Sequence, residues 1–293
     1  MKPAPTPVTK LVPSTASRSI GAILVDSGRL SVEQAEQVLR MQKQLGIRFG
    51  EAAINLGFLT ADDIQHALAH QYGYACLRPG QSRISEELVA AYQPYSPQVE
   101  ALRALRSQLM LRWFADENCT TKALAVVSPG RAEGRSYLAA NLAVVFSQLG
   151  ESTLLIDADM RNGRQHQLFN VENFSGLSTV LAGRSQTAPV LRLAELEALS
   201  ILTAGPVPPN PQELLGREVF PKLMEKFAKM FDVIIIDTPA GTDYADAQMI
   251  GARAGGAMLV AHQHTTSLAA ASQFGKGLAD LGVNVVGAVL NQF

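Results

Sequence analysis

Val126-Val127-Ser128-Pro129-Gly130-Arg131-Ala132-Glu133-Gly134-Arg135-Ser136 carries an apolar strand through a turn of small residues into a second apolar run that begins at Tyr137. A strand, a glycine-containing loop and a helix in that order build a phosphate cradle, because loop amides and the helix N-terminus converge on one anion. The usual spacing of such a loop is G-x-x-x-x-G-K-[ST], in which the lysine reaches the β- and γ-phosphates and the hydroxyl holds Mg²⁺. Here Gly134 and Ser136 keep their places, Pro129 stands in the first glycine slot and Arg135 stands in the lysine slot. Arginine keeps the charge, but it is planar and longer than lysine, so the exchange is not conservative in a tight loop.

Downstream and upstream of the loop, short β-branched apolar runs at 124–127, 153–156, 199–203, 233–236, 257–261 and 285–290 alternate with helical patterns. Strands buried on both faces read this way, which predicts an α/β fold: a doubly wound parallel sheet of the P-loop NTPase kind. The ligand site of such a sheet lies beyond the carboxyl ends of its central strands.

Carboxylates stand at two of those ends. Leu154-Leu155-Ile156 runs into Asp157-Ala158-Asp159-Met160-Arg161, and Val233-Ile234-Ile235-Ile236 runs into Asp237-Thr238-Pro239. A buried acid is costly unless it is hydrogen-bonded or near a cation, so three of them around one phosphate loop point to Mg²⁺.

The amino-terminal part is organised differently. Residues 1–17 hold Pro3, Pro5, Pro7 and Pro13 among small polar residues, a composition that predicts a disordered tail. Residues 18–77 contain a tandem repeat in which Gly21, Gly28, Leu30, Ser31, Leu39 and Gln42 recur as Gly50, Gly57, Leu59, Thr60, Leu68 and Gln71. Each copy reads as a short helix, a glycine stop, a hydroxyl N-cap and an amphipathic helix. Ser31 with Gln34 forms a capping box, and Thr60 with Asp63 its carboxylate version. This is a small all-α domain. Pro79-Gly80, Pro94 and Pro97 mark 78–95 as a linker to a domain spanning 96–293.

Bulk properties exclude several classes. The 293 residues are 47% hydrophobic and 17% charged, enough for a full core, and the formal net charge of −1 gives no footprint for nucleic acid. Two cysteines, Cys76 and Cys119, without CxxC spacing, fit a reducing compartment. No apolar run approaches the roughly 20 residues of a membrane span and no signal-peptide core is visible, so a cytoplasmic protein is expected.

Residues 96 to 293 resemble the bacterial tyrosine (BY) kinases, relatives of the MinD/ParA-like P-loop ATPases. The resemblance rests on Ser128–Ser136 as Walker A, on Leu154–Arg161 as Walker A′, on Ile234–Pro239 as Walker B, on Pro208-Pro209-Asn210-Pro211-Gln212-Glu213-Leu214-Leu215, and on the closing Leu290-Asn291. Within the family it is most similar to the EpsG type of exopolysaccharide operons, which implies an ATP-Mg²⁺-dependent enzyme recruited peripherally to the inner membrane by a Wzz-like chain-length determinant.

Carried over by position, the resemblance implies that Gly130, Arg131, Ala132, Glu133, Gly134, Arg135, Ser136 and Tyr137 bind nucleotide phosphates and that Asn291 reads the adenine. Ser136, Asp157, Asp159 and Asp237 would hold Mg²⁺ or its waters. Asp157 and Arg135 would be catalytic, Asp157 as the base that activates a tyrosine hydroxyl. Glu100, Arg103 and Arg106 resemble the family's ExxRxxR motif, which implies a homo-oligomeric ring. No tyrosine follows Tyr244, so the usual carboxy-terminal tyrosine cluster is missing and the candidate acceptor is another tyrosine, as in the segment around Tyr92 and Tyr95, or a residue on a different protein. Two readings stay open: a working tyrosine kinase, or a nucleotide-gated pseudokinase scaffold.

The amino-terminal repeat resembles the MshE-type domain of secretion ATPases. That resemblance implies a cyclic-di-GMP site from Ile20, Gly21, Gln42, Arg48, Phe49, Gly50 and Gln71, with Ser19 where the first arginine of the pattern is expected. A helical docking module is the alternative.

Overall fold

The computed structural model describes residues 19–71, 74, 76–116, 120–185 and 187–292; the expected disordered tail lies outside them. The chain forms two compact units that divide between Cys76 and Leu77.

The first unit holds four helices, α1 (Ile20–Asp26), α2 (Val32–Leu45), α3 (Phe49–Asn55) and α4 (Ala61–Gln71). Both expected caps form. Ser31 Oγ accepts from the Gln34 amide at 3.2 Å while Gln34 Oε1 accepts from the Ser31 amide at 2.9 Å. Thr60 and Asp63 make the same reciprocal pair at 3.2 and 3.1 Å. The repeats interleave, α1 packing on α4 and α2 on α3, around Ile23, Leu24, Leu30, Val38, Ala52, Ala53, Leu59 and Ala67. Gly21 and Gly50 serve this packing: a Cβ on Gly21 would stand 3.2 Å from the Phe49 ring, and one on Gly50 3.0 Å from Ile64.

The second unit begins with α5 (Val89–Tyr92), α6 (Pro97–Leu109) and a π-helical turn (Met110–Phe114). There follow β1 (Ala123–Val127), α7 (Arg135–Ser147), β2 (Thr153–Asp157), α8 (Gln165–Leu168), α9 (Leu177–Leu181), β3 (Leu191–Leu193) and β4 (Leu196–Leu202). Next come α10 (Pro211–Leu215), α11 (Val219–Ala228), β5 (Val233–Asp237), α12 (Asp246–Ala254), β6 (Gly256–His262), α13 (Leu268–Asp280) and β7 (Asn284–Asn291). The seven strands lie in the order β3-β4-β2-β5-β1-β6-β7. All neighbours are parallel except the β3–β4 edge pair. The six expected strands are present; β3, three residues with Arg192 in the middle, is the addition.

Side chains alternate across a strand, so the sheet has two apolar faces. Ala123, Ala125, Val127, Leu154, Ile156, Ile234 and Ile236 share one cluster with Leu177, Leu215, Phe220, Phe227, Ile250 and Leu278. The opposite face is covered by α7, which is buried almost all round because α5 and α6 pack on it in turn.

The segment expected to be a linker, 78–95, therefore belongs to the second unit. Leu88, Ala90, Ala91 and Tyr92 are buried, and the Ala90 amide donates to Asn141 Oδ1 of α7 at 2.9 Å. Tyr92 is no accessible phosphoacceptor: its hydroxyl is buried and donates to the Ile84 carbonyl.

Candidate functional site

The loop after β1 curls over the ends of β1 and β5. Gly134, with φ of 92°, is the left-handed residue that turns the chain into α7, a conformation open to glycine at little cost. Ala132 also adopts a positive φ, 55°.

Arg135 is buried and folds back beneath the loop. Its Nε donates to the Thr238 carbonyl at 2.8 Å, and its Nη1 donates to Ser128 Oγ and to the Gly130 carbonyl. Nη2 makes no hydrogen bond to the described residues. Glu133 is held on the loop's other side: Oε2 accepts from the Gly130 amide at 2.7 Å, and Oε1 accepts from the Thr266 hydroxyl. Asn291 donates its side-chain amide to the Glu133 carbonyl at 2.8 Å, which ties the end of β7 to the loop.

Asp157 and Asp237 are register partners at the ends of the adjacent strands β2 and β5, and both are fully buried. Asp157 Oδ1 accepts from the Asp159 amide at 3.2 Å and Oδ2 from the Gln165 amide at 3.0 Å. Burial, and then the charge of Asp237, push its pKa well above the usual carboxylate range. Asp237 is pushed up to about 6, again by burial, while Gln165, the facing Ser136 hydroxyl and the Arg135 guanidinium moderate the rise. Its Oδ2 accepts from Gln165 Nε2 at 2.8 Å; Oδ1 has no partner at hydrogen-bond geometry. A cation beside two such buried acids would favour their ionised forms.

Asp159 faces the open side, with Oδ1 accepting from the amides of Arg161 and Asn162 at 3.1 and 2.8 Å. It lines a cleft of about 520 Å³ with Arg131, Glu133, Gly134, Arg135, Ser136, Tyr137, Arg161, Arg164 and Tyr244. Asp157, the residue carried over as base, lies below that cleft rather than in its wall. Among the described residues no three acidic, histidine or cysteine side chains close into a cation cage. The oxygen donors fit Mg²⁺ nonetheless, because that ion keeps its waters and takes one or two carboxylates plus phosphate. Ser136 and Asp237 are the residues that would hold it, with Asp157 and Asp159 ordering its waters.

Glu87, Arg164, Asp243 and Tyr244 of the cleft carry no sequence signal of their own. Arg161 stacks 3.6 Å from the centroid of the Tyr244 ring and pairs with Asp246 at 2.8 Å. Arg131 pairs with Asp243 at 2.6 Å and Arg164 with Glu87 at 2.7 Å. For Arg164, Asp243 and Tyr244, a place a few residues after the strand-end acids is the hint the sequence offers.

The ExxRxxR helix is only half available. Arg103 pairs with the exposed Glu100 at 3.3 Å, its own side chain largely covered. Arg106, expected to reach a neighbouring subunit, is turned inward and donates to the Val145 carbonyl of α7 at 2.7 Å. It belongs to the core of its own unit.

Strand order, loop and strand-end acids define a ParA-like P-loop NTPase domain. A family model described as ParA, NUBPL iron-transfer P-loop NTPase, matches residues 120–292. Tyrosine-protein kinase YwqD of Bacillus subtilis is 36% identical over 210 residues, covering 72% of this chain and 87% of that protein. Among solved structures, the kinase domain of Escherichia coli tyrosine kinase ETK superposes with a TM-score of 0.67 at 33% identity, over 73% of this chain and 82% of that one. The chimerical protein CapA2B2 gives 0.66 at 32%, over 78% and 98%. The chain belongs to the bacterial tyrosine kinases with a MinD/ParA-like P-loop domain. Among the described residues no helix is long and apolar enough to cross a membrane.

Proposed function

We propose that this protein is an ATP-Mg²⁺-dependent protein tyrosine kinase of exopolysaccharide export, active in the cytoplasm beside a Wzz-like membrane partner. The observation that carries the reading is the cleft, which sets the loop amides, Ser136 and Asp159 in one wall above the buried pair Asp157 and Asp237. Loop amides from Arg131 to Ser136 bind the phosphates, and Mg²⁺ held by Ser136 and Asp237 would neutralise charge on the transferring phosphoryl group. An acceptor tyrosine gives its proton to a carboxylate as its oxygen takes the γ-phosphoryl group and ADP leaves. Asp159, in the cleft wall, is better placed to meet that hydroxyl than the buried Asp157.

ATP with Mg²⁺ should raise the melting temperature by several degrees, since a ligand selective for the folded state stabilises it by mass action. Labelled ATP should then pass phosphate to tyrosine when the cytoplasmic tail of the chain-length protein is added. No shift with saturating ATP, with or without metal, would sink the nucleotide reading. A shift without transfer would favour the scaffold.

The scaffold reading draws support from the first unit. Arg48 is exposed at the start of α3 and caps nothing, so its guanidinium is available to a guanine base or phosphate of cyclic-di-GMP. The same melting assay with cyclic-di-GMP should give a shift that Arg48→Ala removes; no shift in the parent leaves a docking module.

Ring assembly now rests on Glu100 and Arg103. Arg103→Ala should lower the assembled mass in light scattering with ATP-Mg²⁺, and Glu100→Ala, which removes the exposed end of the pair, should leave the melting temperature within about 2 °C. An unchanged mass would remove Arg103 from the interface.

A further inference from the structure

Gln165 sits at the first turn of α8, is fully buried, and hydrogen-bonds to Ser136, Asp157 and Asp237. Its backbone amide donates to Asp157 Oδ2 at 3.0 Å. Its side-chain Nε2 donates both to Asp237 Oδ2 at 2.8 Å and to the Ser136 carbonyl at 3.1 Å. One side chain thus links the first turn after the phosphate loop to the strand-end acid of β5, while its main chain fixes the acid of β2.

Two oxygens are left over. Gln165 Oε1 and Asp237 Oδ1 are both buried and neither has a hydrogen-bond partner. Unsatisfied buried acceptors are rare and costly, and a pair of them on hydrogen-bonded neighbours suits a group that supplies positive charge or protons. A hydrated divalent cation does both.

We propose that Gln165 is a positioning residue of the metal centre: its amide spans Ser136 and Asp237, turns Asp237 Oδ1 toward the cation's shell, and offers its own Oε1 to a metal-bound water. This rests on the ATP-Mg²⁺ reading above. Residues that orient ligands in this way typically change metal affinity by about 10–100-fold when replaced, without touching the metal.

The test separates metal from nucleotide. Calorimetry on the full chain would measure ATP affinity with Mg²⁺ and with EDTA for the parent, Gln165→Met and Gln165→Glu. Methionine keeps the length and loses both donor and acceptor; glutamate keeps the shape and, ionised, replaces the donor with a second acceptor. Both variants should bind metal-free ATP within about twofold of the parent and lose at least about tenfold of the Mg²⁺-dependent gain, with excess Mg²⁺ restoring it. Mn²⁺ bound in the presence of ATP, read by electron paramagnetic resonance, should weaken in parallel. An unchanged Mg²⁺ gain overturns the proposal. So does an equal loss with and without metal, which marks a loop-packing role. If one variant fails to fold, the other decides. A parent that binds no ATP at all refutes the nucleotide reading itself, and is told apart from a failure of Gln165 by the parent's own titration.

Discussion

Asp237→Asn should melt higher than the parent at pH 7.5, by on the order of 5 °C, and should lose most of its Mg²⁺-dependent ATP affinity. Asp237 is fully buried, and burial raises its pKa from 3.8 to about 6. The folded state therefore holds this proton more tightly than the unfolded chain. The stability it confers is complete below about pH 4 and is lost as pH rises through about 6. At about 1.4 kcal/mol per pKa unit, the ionised form costs the ligand-free fold about 3 kcal/mol at neutral pH. For a domain of this size 1 kcal/mol moves Tm by about 2–4 °C. The lower end is expected, because Asp157 beside it is raised by the Asp237 charge and shares the same proton uptake.

Asparagine suits position 237 for a geometric reason. Oδ2 accepts from Gln165 Nε2 and Oδ1 has no partner at hydrogen-bond geometry, so an amide keeps the acceptor and places its NH₂ where no N–H donates. At Asp157 both oxygens accept from backbone amides, of Asp159 and Gln165. Asp157→Asn would aim a donor at one of those N–H groups and should stabilise little or not at all. Melting curves at pH 5 and 7.5 check this: the parent should lose stability between them and Asp237→Asn should lose less. A parent equally stable at both values, or an Asp237→Asn that melts lower at pH 7.5, would show that the buried carboxylate does not strain the apo fold.

What the sequence revealed and what it hid follow one division. The strands were legible because Leu124–Val127, Leu154–Ile156 and Val233–Ile236 are buried on both faces and so read as unbroken apolar runs. The helix starts at Ser31 and Thr60 were legible because a capping box is local. The strand-end acids were legible because a charge directly after such a run has few uses. Hidden were the features set by partners far along the chain. Pro79, Gly80 and Pro94 announce turns, and nothing local says that Leu88 and Ala91 between them are buried against α7. Arg106 has the spacing of a surface motif, yet the Val145 carbonyl draws it inward. Gln165 is an ordinary polar residue on a four-residue helix, and only the folded chain brings Ser136, Asp157 and Asp237 to it.

Arg135→Lys should weaken the protein rather than repair it. Were the arginine a poor stand-in for the usual lysine, restoring lysine would speed phosphoryl transfer. The geometry favours the opposite outcome. Nε and Nη1 are committed to the Thr238 carbonyl, Ser128 Oγ and the Gly130 carbonyl, so the guanidinium braces the loop against the end of β5 and leaves Nη2 for phosphate. A lysine ammonium is one point on a flexible stem and cannot meet the separated acceptors and a phosphate together. Hydrogen bonds from a charged donor contribute about 1.5–3 kcal/mol each, and a buried carbonyl left without its donor adds a desolvation cost. We expect Arg135→Lys to lower Tm by on the order of 5 °C and ATP-Mg²⁺ affinity at least tenfold, with Arg135→Ala worse on both counts. Thermal melts and calorimetry on the three proteins decide between the two accounts. A lysine variant as stable as the parent and faster in transfer would mean that the brace is incidental and that the loop still works best with the common residue.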